Sequence, residues 1–327
     1  MISIAIYHYT TRYQEKFGWI ECWNFNFQMG SNAVFLFFLI SGFLSIYTMK
    51  KRSIKVSAFN KICRLFPAYW ISMIVTAIVV NIFEPSLWVG MKTFIIDLTM
   101  LQGAVGVGSV DGAYWTLFYD IVFYVVIAFI ERDDNCRNKA RFTFTSWLIL
   151  TYLMMFIKQL DGIFVIYIVR KIITKFLILD RAYIFIAGAS IAEILYSIPA
   201  QNDCFVYINL ILCLCYPLVC GDISSFLVLS AMLLIMLAAL LITHVHLPSE
   251  AKRTISHLSS ISYEFYLLHQ NIGYCILLIL FRKEYTSELT IIIPFLIVIC
   301  LAEIVHYASC ILKVKLSHML ICFGVIK

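Results

Sequence analysis

Charge is what this chain has least of. Of its 327 residues only 13% are Asp, Glu, Lys or Arg, while 62% are hydrophobic, and a soluble domain cannot hide so much apolar side chain. Proline and glycine are sparse too, at 6 and 13 residues, and no Pro/Gly/Ser linker or low-complexity tract interrupts the sequence. A single domain over residues 1–327 is the expectation. No CxxC pair occurs, and several of the 11 cysteines lie inside apolar runs, as at Cys213, Cys215, Cys275 and Cys300. Cysteine acts there as a small, soft hydrophobe, so free thiols are expected rather than a disulfide framework. There is no Gly-x-Ser-x-Gly elbow. Gly106-x-Gly108 is no nucleotide fingerprint, since no strand precedes it and a membrane run follows. His244-x-His246 lacks a third ligand, so no metal site is expected.

What the chain has in abundance is long apolar runs. Ser31 to Met49 carries no charge over nineteen residues, enough to cross a bilayer as a helix. A basic loop follows, with Lys50, Lys51, Arg52, Lys55, Lys61 and Arg64, and a second run starts at Leu65. Such a loop stays in the cytoplasm, so this hairpin sets the orientation of the rest. Further spans read at Trp115–Ile130, 143–157, 182–198, 204–220, 223–243, 257–280 and 289–312. Residues 162–179 are ambiguous, because Arg170, Lys171 and Lys175 break the apolar pattern. Counting them out places Lys252, Arg253 and the tail lysines on the cytoplasmic side, which the positive-inside rule favours. Residues 162–179 then form a surface-lying or re-entrant helix. The fold class expected is all-α: a polytopic transmembrane bundle of about ten segments. The first segment is truncated, since Met1 to Tyr9 offers only nine residues before Thr10-Thr11-Arg12. The net charge of +6 sits mostly in loops and reads as topology signal, with membrane lipid and not nucleic acid as the partner. Trp19, Trp23, Phe25 and Phe27 suit an interfacial belt or a sugar-stacking shelf, the belt being commoner.

An ionisable side chain inside lipid costs a few kcal/mol even on lenient scales, so each is a functional candidate. These are His8, Asp120, Glu193, Glu264, His269, Glu303 and His306. The alternative for each is a polar clasp between helices. Glu303 and His306, at i and i+3, share a helix face and read as a clasp.

Five pieces occur in one order along the chain: IAIYHY, then FLFFLISGFL with its basic loop and LFPAYW, then YWTLFYDIVFY, FIAGASIAEIL and ISYEFYLLHQ. Together they resemble the integral-membrane acyltransferase family 3, the family of bacterial sugar O-acetyltransferases. The resemblance implies transfer of an acyl group, acetyl above all, from acyl-CoA to a hydroxyl of a surface glycan or its lipid-linked precursor. It implies a multi-pass protein of the bacterial inner membrane, with acetyl-CoA as a donor substrate and no permanently bound cofactor. His8 stands where the family has its catalytic histidine. Transfer to a hydroxyl needs a proton acceptor, and histidine titrates near neutral pH. Asp120 stands where the family has glutamate, with a carboxylate to orient that imidazole; a helix-packing hydrogen bond is the other reading. Lys61 and Arg64 match an Arg-x-x-Arg pair and imply a grip on the CoA phosphates, which arginine makes as a fork and lysine as a point charge. Their other reading is a topology anchor. Trp115 and His269 fall in the substrate-side motifs. Two departures stand out. The family's arginine eleven residues before the histidine would fall ahead of Met1, and no extracytoplasmic esterase-like domain is expected after the bundle. The first departure keeps a rival open: a non-catalytic multipass protein, either a transporter or a truncated pseudoenzyme.

Overall fold

The computed structural model describes residues 1–18, 25–49, 54–130, 136–196, 204–242 and 248–322. Among these there is no strand, and every regular element is helical. Trp19, Trp23, His244 and His246 lie outside the described residues. Among the described residues, seven helices are long and apolar enough to cross a membrane: Gln28–Thr48, Asn60–Phe83, Gly112–Ile130, Lys139–Leu160, Ile223–Leu241, Ser262–Arg282 and Glu288–Lys315. Cys204–Val219 is a shorter apolar helix. Leu179–Tyr196 carries Asp180 and Glu193 yet is buried along most of its length. With the first helical stretch, which begins at Ile2–Tyr7 and continues through His8–Arg12 to Tyr13–Phe17, these account for the segments read from the sequence.

One later boundary differs clearly from that reading. The span expected at 257–280 begins instead at Ser262, because a separate polar helix, Ser249–Ser260, precedes it. No residue of that helix is buried; its run of charged and hydroxyl side chains suits water rather than lipid. The ambiguous stretch forms the helix Phe164–Phe176, of 13 residues and with none buried. It rises only about 20 Å, short of a hydrocarbon core of about 30 Å.

The chain packs as two compact units that alternate along it. The first comprises Met1–Ala33, Phe59–Trp115 and His246–Lys327. Its core gathers Ala5, Tyr9 and Tyr13 from the first turns with Phe265, Leu268, Ile272 and Tyr274, and with Val298, Ala302 and Val305. The segment between the helices ending at Phe83 and starting at Trp115 is folded onto this core by hydrogen bonds. Asp97 accepts from Val110 N at 2.6 Å. Asp111 accepts from Ala113 N at 2.9 Å and from Asn271 N at 2.8 Å. Tyr69 donates to Asp97 O and Trp70 to Leu98 O. Both carboxylates are fully buried, and that burial raises Asp97 to about 6 and Asp111 to about 7.

The second unit comprises Val34–Ala58 and Thr116–Val245. Its centre is an aromatic stack in which Phe185 lies 4.6 Å from both Phe38 and Phe123. Two glycines let the backbones of helices Ala33–Met49 and Leu179–Tyr196 touch. A Cβ on Gly42 would sit 2.0 Å from Phe185 O, and one on Gly188 would sit 2.0 Å from Leu39 O. Lipid gives no hydrophobic drive between helices, so close packing of small residues is what holds such a pair. Buried Arg141 pairs with buried Glu193 at 3.2 Å, and Tyr119 donates to the partly exposed Asp180 at 3.0 Å.

Candidate active site

One helix of the first unit, Ser262–Arg282, carries a ladder of polar groups. Glu264, His269 and Tyr274 occupy it at intervals of five residues, so each level lies about 7.5 Å above the last. Each recruits a different part of the chain.

At the top level, Tyr274 meets His8. The imidazole Nδ1 lies 2.9 Å from the phenolic hydroxyl. His8 opens a π-helical turn, His8–Arg12, that interrupts the first helix; such turns often mark functional sites. The register of this helix is set one residue on. Tyr9 donates to His269 O at 2.9 Å, and its ring fills the space beside Gly273, where a Cβ would come within 2.1 Å of it. Gly30 plays the same part opposite, with a would-be Cβ 2.4 Å from Ser3 O. Thr11 ties down the entering strand of chain by accepting from Phe27 N at 2.9 Å. Phe25 and Phe27 stack nearby at 6.3 Å.

At the middle level, His269 is fully buried, 5.1 Å from the His8 ring centroid to centroid. Its Nδ1–H donates to Tyr266 O at 2.7 Å. That fixes the tautomer in which Nε2 holds a lone pair, and Nε2 has no partner.

At the lowest level, Glu264 accepts from His306 Nδ1 at 3.0 Å. Glu303 pairs with His257 at 2.7 Å instead. Both clasps therefore run between helices, and His306 and Glu303 do not pair with each other. Beside Glu264 opens a cavity of about 590 Å³ whose lining includes Arg64, Lys252, Lys313, Tyr263, His306 and Cys310. Lys61, a turn before Arg64, is partly buried and is not part of that lining.

Asp120 lies in the second unit, 5% exposed, where Ser41 Oγ donates to its Oδ1. Trp115, at the head of its helix, is 40% exposed. Four participants escaped the sequence motifs: Tyr274, Lys252, Lys313 and Cys310. Tyr274 was legible only as a phenol in an apolar run. The two lysines resembled other loop cations.

A family model for an acyltransferase domain matches residues 1–308. The chain belongs to acyltransferase family 3. No curated protein and no solved structure matches it significantly. The matched range takes in residues of both compact units. This family-3 chain is a membrane acyltransferase with an all-α, multi-pass fold.

Proposed function

We propose that the chain is an O-acetyltransferase of the bacterial inner membrane that moves acetyl from acetyl-CoA to a hydroxyl of a surface saccharide or its lipid-linked precursor. The observation that carries the donor reading is the cavity beside Glu264. Three cations from separate parts of the chain, Arg64, Lys252 and Lys313, line it, and a pyrophosphate with a ribose phosphate calls for several cations and a guanidinium fork. By the positive-inside rule this is the cytoplasmic end, where CoA is found.

The acceptor chemistry belongs to the upper level. His8 is partly exposed and its Nδ1 is held by Tyr274. With Nδ1–H donating to the phenol oxygen, Nε2 is free to take the proton of an attacking hydroxyl as the carbonyl goes tetrahedral. Tyr274 then supports the imidazolium that forms, as a neutral orienting group. For Asp120, which accepts from Ser41 Oγ, we carry over the carboxylate role that the family resemblance implies. Trp115 and His269 serve the substrate side. No cofactor is needed, because the thioester carries its own activated acyl group.

The test is acetyl content of purified surface glycan from a deletion strain given the original chain or a variant. Restoration by the original and loss with His8→Ala is the expected result. Failure of the original chain either to acetylate glycan or to hydrolyse acetyl-CoA would leave the non-catalytic reading in its place.

A further inference from the structure

Cys310, His306 and Glu264 form a thiol–imidazole–carboxylate line inside the basic cavity. The Cys310 Sγ lies 3.7 Å from His306 Nε2, and His306 Nδ1 lies 3.0 Å from Glu264 Oε1. The directions are mutually consistent. A carboxylate can only accept, so Nδ1 carries the proton, Nε2 holds the lone pair, and the thiol is the donor. Ser309 braces the turn by donating to His306 O at 2.9 Å. All three members line the same cavity as Arg64, Lys252 and Lys313. Glu264 is only 4% exposed, and its second oxygen, Oε2, has no partner. A buried carboxylate oxygen left open on a cavity wall points to something that enters it.

We propose that Cys310 is an acyl-accepting nucleophile: the donor's acyl group is held on this thiol as a thioester before it reaches the hydroxyl. The proposal rests on the reading of acyl-CoA as donor. His306 Nε2 takes the thiol proton, and the thiolate attacks the thioester carbonyl. The new bond is Sγ–C; the bond that breaks joins that carbon to the CoA sulfur. CoA leaves with the proton from His306, so atoms and charge balance and no redox partner enters. One thioester replaces another, which makes the exchange close to thermoneutral. The acyl group later passes to the acceptor: the hydroxyl oxygen bonds the acyl carbon, the Sγ–C bond breaks, and the hydroxyl proton ends on the released Cys310 thiolate. Glu264 keeps the imidazole in the accepting tautomer and stabilises its protonated form, the role of a third group in nucleophile–base pairs. Cys63 is the other thiol on this wall, but it is buried, with no imidazole contact comparable to that of Cys310.

The experiment uses the full chain in detergent or lipid nanodiscs with radiolabelled acetyl-CoA, quenched in acid, with the label located by peptide mass spectrometry. In parallel, acetyl-CoA binding is measured by equilibrium dialysis. Expected are a label on Cys310 that neutral hydroxylamine removes, and none in Cys310→Ala. Cys310→Ser should carry an oxygen ester that hydroxylamine leaves in place. His306→Ala and Glu264→Gln should bind donor yet label at least about a hundredfold more slowly, the usual loss for a missing base. Ping-pong kinetics should accompany the label. Binding without any label, or a label that sits on Cys63 or persists in Cys310→Ala, would overturn the nucleophile while leaving the donor reading intact. Absence of donor binding by the original chain would sink both.

Discussion

The Nδ1 of His8 and the hydroxyl of Tyr274 lie 2.9 Å apart although 266 positions separate them in the chain. The contact joins the first turns of the protein to the middle of a late membrane helix. It gives His8 a fixed orientation that no local motif could supply. His8→Ala should therefore lower acetylation by about 10²–10⁴-fold, with membrane accumulation unchanged, as read by glycan acetyl content against protein level. Tyr274→Phe keeps the ring and loses one hydrogen bond, worth about 0.5–1.5 kcal/mol, so a loss of up to about tenfold is expected. Asp120→Asn should also cost less than His8→Ala, since the base survives. Full activity in His8→Ala would make this residue structural.

Sidedness follows from the cavity. Arg64, Lys252 and Lys313 line one space, so these ends of the chain lie on one side of the membrane. With Leu179–Tyr196 and Cys204–Val219 counted as crossings beside Asn60–Phe83, Gly112–Ile130, Lys139–Leu160 and Ile223–Leu241, the number between Arg64 and Lys252 is six, which is even. An added crossing at Phe164–Phe176 would make the number odd and part them. Cysteines placed at Lys61 and at Lys315 should react with an impermeant maleimide only after the membrane is opened to the cytoplasmic side. Reaction of one from each side would restore residues 162–179 as a span.

The buried pair Asp97 and Asp111 makes stability pH-dependent. Burial raises both above 3.8, to about 6 and about 7. The folded state thus holds protons that the unfolded state has released between pH 4 and 7. Stability is highest at the acid end of that window, falls as pH rises through it, and levels off above about 7. For Asp97 alone the fall is about 3 kcal/mol. Asp97 Oδ1 has no partner while Oδ2 accepts from Val110 N, so an amide can replace the protonated acid. Asp97→Asn should flatten the lower part of the melting-temperature profile in detergent. An unchanged profile would show that this carboxylate does not titrate there.

The fold was largely readable because membrane helices announce themselves one at a time. Runs such as Ser31–Met49 need only length and absence of charge, and positive loops orient them. The boundary at Ser262 was not readable: Ser249–Ser260 is amphipathic, and hydropathy alone merges its end with the next helix. The site was half legible. His8, Arg64 and His269 sit in recognisable local contexts, whereas Tyr274, Lys313 and Cys310 matter only through what packs beside them. His306 and Glu303 show the limit most clearly. Helical spacing puts them on one face, yet they reach partners on different helices, Glu264 and His257.

The two glycines of the second unit were visible in FLISGFL and FIAGASIAEIL, but not their mutual contact. Gly42 faces Phe185 O and Gly188 faces Leu39 O. Both obstacles are backbone atoms, so no side chain can swing aside. Gly42→Ala and Gly188→Ala should each force the helices apart, at a cost of about 1–3 kcal/mol or more. Size-exclusion chromatography and thermal unfolding in detergent measure this. Gly108→Ala is the control, since a Cβ there meets nothing within 4 Å. Equal melting temperatures for all three would mean that the close crossing is not tight.

Arg64 and Lys61 separate donor binding from topology. Both are cations a turn apart on the helix Ile54–Phe83, so as orientation signals they should count alike. Only Arg64 lines the cavity, where Lys252 and Lys313 join it. A guanidinium can meet a phosphate with two parallel N–H donors, and a charge-assisted contact of that kind is worth about 1.5–3 kcal/mol. Arg64→Ala should therefore weaken acetyl-CoA binding by about tenfold or more. Arg64→Lys should recover part of the loss, because a point charge remains without the fork. Lys61→Ala should change the affinity little. Isothermal titration of the purified variants at fixed, low ionic strength reads all three, and raising the salt should narrow the gap by screening. Equal and negligible effects at both positions would leave Arg64 an anchor at the membrane surface, and the donor would have to bind elsewhere.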